Sequence, residues 1–272
     1  MELEGRRRWW LEHESAVAVS TRPAALVIVL HGGGGNPEGA ERMSQMSELS
    51  DEEGFLVLYP AGTGLFPRRL LTWNSGNCCG YARKNAVDDS GFLGVLIQRY
   101  VKEGRVDPKR VFVTGMSNGA MMAHRFACEH AELVAAIAPV AGSIGIPDCR
   151  PKRPVSVLMI HGLADQHVPY EGGFGQNSLQ PRDDRSVAAN ASIWRAADGC
   201  PNEEVDDATD GVRDERWRSC GAGSEVRLLT HPGGHVWPGG KPGLRSGNAD
   251  PVVPYPKATE TIWAFFAEHG RH

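Results

Sequence analysis

The chain has 272 residues, of which 41% are hydrophobic and 23% charged, with a formal net charge of −4. These values belong to an ordinary globular protein and exclude the basic footprint of a nucleic-acid binder. No apolar run reaches the length of a membrane span. In chain order, the one basic cluster, Arg6-Arg7-Arg8 beside Trp9-Trp10-Leu11, decorates a first strand. Short apolar runs then follow at 25–30, 55–59, 111–114, 135–140, 155–160 and 226–230. Unbroken by polar alternation, they suit strands buried on both faces. Helical patterns lie between and after them, at 38–53, 88–103, 118–130, 186–197 and 257–269. The last of these puts Ala258, Ile262, Phe265 and Phe266 on one face. Alternating β and α elements predict an α/β fold, a doubly wound and mostly parallel sheet with helices on both faces. No linker or repeat divides it, so 1–272 reads as a single domain.

In such sheets, ligands bind beyond the carboxyl ends of the strands. There the sequence places His31-Gly32-Gly33-Gly34-Gly35-Asn36, Pro60-Ala61-Gly62-Thr63-Gly64, Gly115-Met116-Ser117-Asn118-Gly119, His161-Gly162-Leu163-Ala164-Asp165 and His231-Pro232-Gly233-Gly234-His235. A serine between two glycines at a strand-to-helix turn has the pattern of a nucleophile elbow. A serine hydroxyl needs a base, and the base needs an orienting carboxylate. In chain order Ser, Asp, His, the candidates are Ser117, Asp165 and His235. Asp148, Asp183 and Asp184 compete less well for the acid. His161, at a strand end, and His231, close to its strand, compete with His235 for the base. Backbone N–H groups of Gly33 and Asn118 are the candidate oxyanion donors, where side chains do not intrude. Trp73, Tyr170 and Trp237 either line the substrate pocket or pack at loop bases. Asp88 and Asp89 cap the helix that follows them.

Other chemistries fit less well. His231 and His235 have the i, i+4 spacing of zinc ligands, but Pro232-Gly233-Gly234 prevents the helix this requires. No metal or cofactor is therefore expected. The glycine run after His31 lacks the Gly-Lys-Ser/Thr of a phosphate cradle. Six cysteines, an even set, suit an oxidising compartment. Cys200 and Cys220 flank a polar loop and are the best disulfide pair. Cys78 and Cys79, being adjacent, are expected not to join each other, one of them reaching Cys149, with Cys128 a buried free thiol. Met1-Glu2-Leu3-Glu4-Gly5 lacks a leader's apolar core, so the chain reads as an exported protein after processing or as a cytosolic one.

Taken together, Leu30-His31-Gly32-Gly33, Trp73-Asn74-Ser75-Gly76-Asn77-Cys78-Cys79-Gly80, Val87-Asp88-Asp89, Gly115 to Met121, His161-Gly162 to Val168-Pro169-Tyr170 and Gly234-His235-Val236-Trp237-Pro238-Gly239 resemble the LpqC-type esterases. That family groups polyhydroxybutyrate depolymerase-like enzymes with feruloyl and acetylxylan esterases of the α/β hydrolase fold. The resemblance runs in order along nearly the whole chain. It implies Ser117, Asp165 and His235 as a triad in a secreted bacterial enzyme, a monomer or weak oligomer. The implied partner is a small or polymeric ester; the net charge and the lack of a span-length apolar run leave no nucleic acid or membrane as an expected partner. The chain departs from the pattern in starting almost at its first strand. A serine peptidase and a non-catalytic binding protein of the same fold are the competing readings.

Overall fold

The computed structural model describes residues 1–178, 180–201, 204–207, 211–242 and 250–271. Its centre is a nine-stranded sheet. In chain order the strands are β1 (Trp10–Glu14), β2 (Ala24–Leu30), β3 (Leu56–Pro60), β4 (Val106–Met116), β5 (Ala136–Val140), β6 (Ser156–Gly162), β7 (Glu204–Asp207), β8 (Arg213–Trp217) and β9 (Val226–His231). Their order across the sheet is β7-β8-β9-β6-β5-β4-β2-β3-β1. The inner strands from β9 to β3 pair in parallel. Antiparallel β1 closes one edge, and β8 with β7 the other.

The parallel strands are apolar where both faces are covered; β4 carries the polar stretch Asp107-Pro108-Lys109-Arg110 near its start, and β9 carries Arg227. Leu26, Ile28 and Leu30 of β2 enter one core, and Ala25, Val27 and Val29 enter the other. Helices α1 (Pro37–Ser44), α2 (Met46–Glu53), α3 (Asp89–Lys102), α4 (Asn118–Glu129), α5 (Val187–Asp198) and α6 (Ala258–Glu268) supply the cover. The first core takes Phe92 and Leu96 of α3, Met122 and Phe126 of α4 and Trp194 of α5. The second takes Ala40 of α1, Met46 of α2 and Ile262 and Phe266 of α6. With these helices on both faces, the fold is the doubly wound one expected from the alternation.

Several local expectations change. The single helix expected at 38–53 is two, broken where Gln45 turns left-handed at φ 54°. Arg8 does not decorate a surface: it is buried, donates to Asp89 (2.7 Å) and lies over the Phe92 ring. Only Asp88 caps α3, accepting from the Gly91 N–H at 2.8 Å. Asp89 turns inward, and its second oxygen accepts from the Asn74 N–H at 2.8 Å, tying the 73–79 loop to the N-terminal segment. Cys200 pairs with Cys220 as expected; residues 202–203 and 208–210 of the loop between them lie outside the described residues. Cys128 is not a free thiol. From the end of α4 it joins Cys149, which leaves Cys78 and Cys79 to join each other.

Candidate active site

The turn from β4 into α4 carries Ser117 at φ 57° and ψ −122°. Glycines flank it for a reason of space, since neither has a positive φ. A β-carbon on Gly115 would stand 2.6 Å from the Leu30 carbonyl oxygen, and one on Gly119 would collide with the same atom. Strand β2 and the start of α4 approach so closely that side chains are excluded. The strain falls on the serine, at a cost of about 1–3 kcal/mol. Ser117 does not spend its hydroxyl on capping α4. Its N–H donates to Val140 at the end of β5 (2.9 Å).

Asn118 fastens the elbow to the loop beside it. Its Oδ1 accepts from the Trp73 N–H (2.7 Å), and its Nδ2 donates to the Trp73 carbonyl (3.0 Å) and Ser75 Oγ (3.2 Å). The backbone N–H groups of Gly33 and Asn118 have no acceptor among the described residues. The glycine run lies against the elbow: a β-carbon on Gly32 would sit 3.6 Å from Ser117 Cβ. Strand β2 thus delivers the glycine loop, and β4 the serine, to one edge.

Beyond β6 the chain turns to Asp165, which is buried. Its Oδ1 accepts from the N–H groups of His167 (2.8 Å) and Val168 (2.9 Å), leaving Oδ2 for His235 Nδ1 at 2.7 Å. Burial by itself would raise this carboxyl. The His235 hydrogen bond and charge, His161 and the Val168 N–H outweigh it and hold Asp165 below the usual carboxylate range. His235 reaches Asp165 because the glycines before it let its loop lie on the end of β6. There Ala164 N–H donates to Gly233 (3.1 Å), and a side chain at Gly162 would strike the carbonyls of Gly233 and Gly234. Asp250 braces the loop from behind, accepting from the His235 N–H at 2.6 Å. Nothing in the sequence pattern marked Asp250.

The rivals for the base, His161 and His231, and the buried His31 and His124 are each hydrogen-bonded to other groups. His161 Nε2 is bonded to the Val168 carbonyl (2.8 Å), holding the loop that carries Asp165. His31 accepts from the Gly62 N–H (3.0 Å), His124 from the Trp194 indole (3.0 Å) and His231 from the Gly233 N–H (3.1 Å). Each of these buried rings needs a bare nitrogen, and burial lowers them to about 4, 3 and 4 respectively. The unfolded chain takes up these protons near the ordinary value of 6.5. Stability is therefore full above pH 6.5 and falls as the pH drops towards 4, by about 1.4 kcal/mol per pH unit for each ring. Urea denaturation across pH 7 to 4.5 should show a steadily declining midpoint; a constant one would contradict these tautomers.

Asp165, His167 and His235 bring ligand atoms within 4.8 Å of one another. The two imidazoles are stacked, however, with centroids 4.5 Å apart and planes at 23°. Their in-plane lone pairs run side by side and do not converge on an ion, and Asp165 Oδ2 is already engaged with His235. Of the three aromatics, Trp73 and Trp237 are buried. The Trp73 indole donates to the His31 carbonyl (2.9 Å) and that of Trp237 to Thr259 Oγ1 (3.0 Å). Their rings brace loops from inside and do not face an open cleft. Tyr170 keeps some exposed surface, with its hydroxyl against Thr230 Oγ1 (3.0 Å).

The family model for esterase PHB depolymerase matches residues 13–148, the stretch that holds the glycine loop and the serine elbow. The chain belongs to this esterase family. NocK of Nocardia uniformis subsp. tsuyamanensis, described as an esterase, is 31% identical over 260 residues, covering 88% of this chain and 73% of NocK. Feruloyl esterase B of Piromyces equi is 31% identical over 230 residues, 82% of this chain. This esterase spans only 41% of that fungal protein's length. Among solved structures, an acetyl xylan esterase from Aspergillus awamori superposes with a TM-score of 0.64 at 17% identity, covering 95% of this chain and 93% of its own. A Bacillus cereus carboxylesterase gives 0.60 at 13% identity, over 96% and 94%. The fold is that of the α/β hydrolase esterases, and the protein is a carboxylic ester hydrolase. Among the described residues no helix is long and apolar enough to cross a membrane.

Proposed function

We propose that this esterase works through a Ser117–His235–Asp165 triad and an acyl-enzyme, without a cofactor, within one catalytic domain. The observation that carries this reading is the 2.7 Å bond between Asp165 and His235 at the sheet edge where Ser117 is held at positive φ. With Nδ1–H directed at Asp165, His235 keeps a bare Nε2 for the serine proton. Ser117 Oγ attacks the ester carbonyl as its proton passes to His235. The oxyanion is held by the N–H groups of Gly33 and Asn118, with the positive end of α4 behind it. Collapse expels the alcohol, which takes the proton from His235. Water, deprotonated by the same ring, then releases the acid and frees Ser117.

Acyl groups of the feruloyl or acetyl type, or short polyester units, are the proposed substrates. Relatives named as feruloyl and acetylxylan esterases support this. So do the exposed Leu65, Phe66, Leu163 and Phe174, which stand on the loops leaving β3 and β6 at the same edge. Three disulfides support an oxidising, extracytoplasmic setting. Comparing kcat/KM across methyl ferulate, acetylated xylan, hydroxybutyrate oligomers and p-nitrophenyl esters tests the class. One of the first three should stand well above the other two, with the p-nitrophenyl esters reporting the acyl-length preference. Uniformly low values on all three natural esters would reject it.

A further inference from the structure

We infer that His167 is a positioning residue for the catalytic base: its ring lies face to face with His235, fixes the tilt of that imidazole and keeps water off the Asp165–His235 bond. The inference rests on the triad reading above and adds a residue to it. One hydrogen bond cannot orient a planar ring, because the ring still turns about the Nδ1···Oδ2 axis. The glycines before His235 offer no side chains to stop that turning. His167 supplies the missing contact, at 4.5 Å between centroids and 23° between planes.

His167 is itself held firmly at the backbone. Its N–H donates to Asp165 Oδ1 (2.8 Å), so the stacking ring and the orienting carboxylate are set by one short turn. Its carbonyl accepts from Ser178 Oγ (2.5 Å) and from Arg182 (3.2 Å). Arg182 is in turn paired at 3.0 Å with the buried Asp184, so Ser178 and Arg182 clamp His167 from the far side. The groups facing the ring are Asp165 on its own turn, His235 and Asp250 from the base loop, and Arg182 from the clamp. Burial first, then His235 and Arg182, push His167 below its ordinary value against the pull of the two carboxylates. At neutral pH the base therefore meets an uncharged aromatic face when it becomes imidazolium. On acidification a second imidazolium would oppose it.

The experiment compares His167→Ala, His167→Phe and His235→Ala in the intact chain. His167→Ala should lower kcat about tenfold to a hundredfold through misorientation, with KM changed by less than about threefold. His167→Phe keeps the stacked face and should return kcat to within about threefold of the parent. Proton NMR adds a reading that simple loss of stability would not move. The low-field Nδ1–H signal of His235 should persist in the parent and in His167→Phe, and broaden by solvent exchange in His167→Ala. A parental kcat and a sharp signal in His167→Ala, with His235→Ala inactive, would overturn this inference alone. So would a His167→Phe that folds but recovers nothing. Substantial activity in His235→Ala would overturn the triad and this inference with it.

Discussion

Ser117→Ala is expected to lower kcat by about a million-fold while leaving a folded protein, because in the proposed mechanism Ser117 is the group that takes the acyl chain. What survives should be the modest acceleration that an oxyanion hole and substrate binding give to water alone. The backbone adds a second arm to this test. Ser117 sits at φ 57°, a conformation an L-residue occupies under strain, and alanine keeps the offending β-carbon. Ser117→Gly removes it and should be more stable than Ser117→Ala by about 1–2 kcal/mol, although equally inactive. Urea denaturation of the two variants reads the difference. Equal stabilities would mean that the elbow is relaxed.

Asp165→Asn should cost about ten-thousand-fold in kcat, with the fold preserved. The carboxylate does two separate things, and asparagine keeps only one. Its carbonyl oxygen can still accept from the N–H groups of His167 and Val168, so the turn survives. Its amide then faces His235 Nδ1 with a donor where an acceptor stood. The imidazole must answer with the other tautomer, carrying its proton on Nε2, and it has no lone pair left for the serine. Asp165→Ala loses the turn as well. Its two stranded N–H groups should each cost about 1–3 kcal/mol of stability. A loss of turnover in both variants, with stability lost only in the second, separates the two functions. Comparable stability in both would show that the turn does not depend on the carboxylate.

The six parallel strands were legible because their central stretches are buried on both faces and are therefore written as largely apolar runs, as in Ala24–Leu30. The antiparallel edges were less so. A first strand was marked only by Trp9-Trp10-Leu11, and its Glu-His-Glu end was not; β8, Arg-Asp-Glu-Arg-Trp, is a polar string whose strand state comes from pairing with a neighbour, not from its own pattern. The break at Gln45 was hidden too: no glycine or proline marks it, and the left-handed turn falls on a glutamine. In the candidate site, the placing of Ser117 at a strand-to-helix turn and of Asp165 and His235 on loops after parallel strands could be read, because loop position and chain order are properties of sequence. Which aromatic faces a cleft and which braces a loop is a matter of three-dimensional direction, so Trp73 and Trp237 could not be sorted in advance. The inward turn of Asp89 and the stacking of His167 on His235 likewise join residues that no spacing rule connects. The same holds for the Cys128–Cys149 pair, since connectivity is not encoded in cysteine spacing.

The central claim is that Ser117 is made nucleophilic by His235. A fluorophosphonate, which reacts only with an activated serine, tests it when the labelled protein is digested and the modified peptide is located by mass spectrometry. Modification at Ser117, abolished by His235→Ala, is the predicted result. Label on a different residue, or an unmodified Ser117 in a preparation still hydrolysing esters, would contradict it.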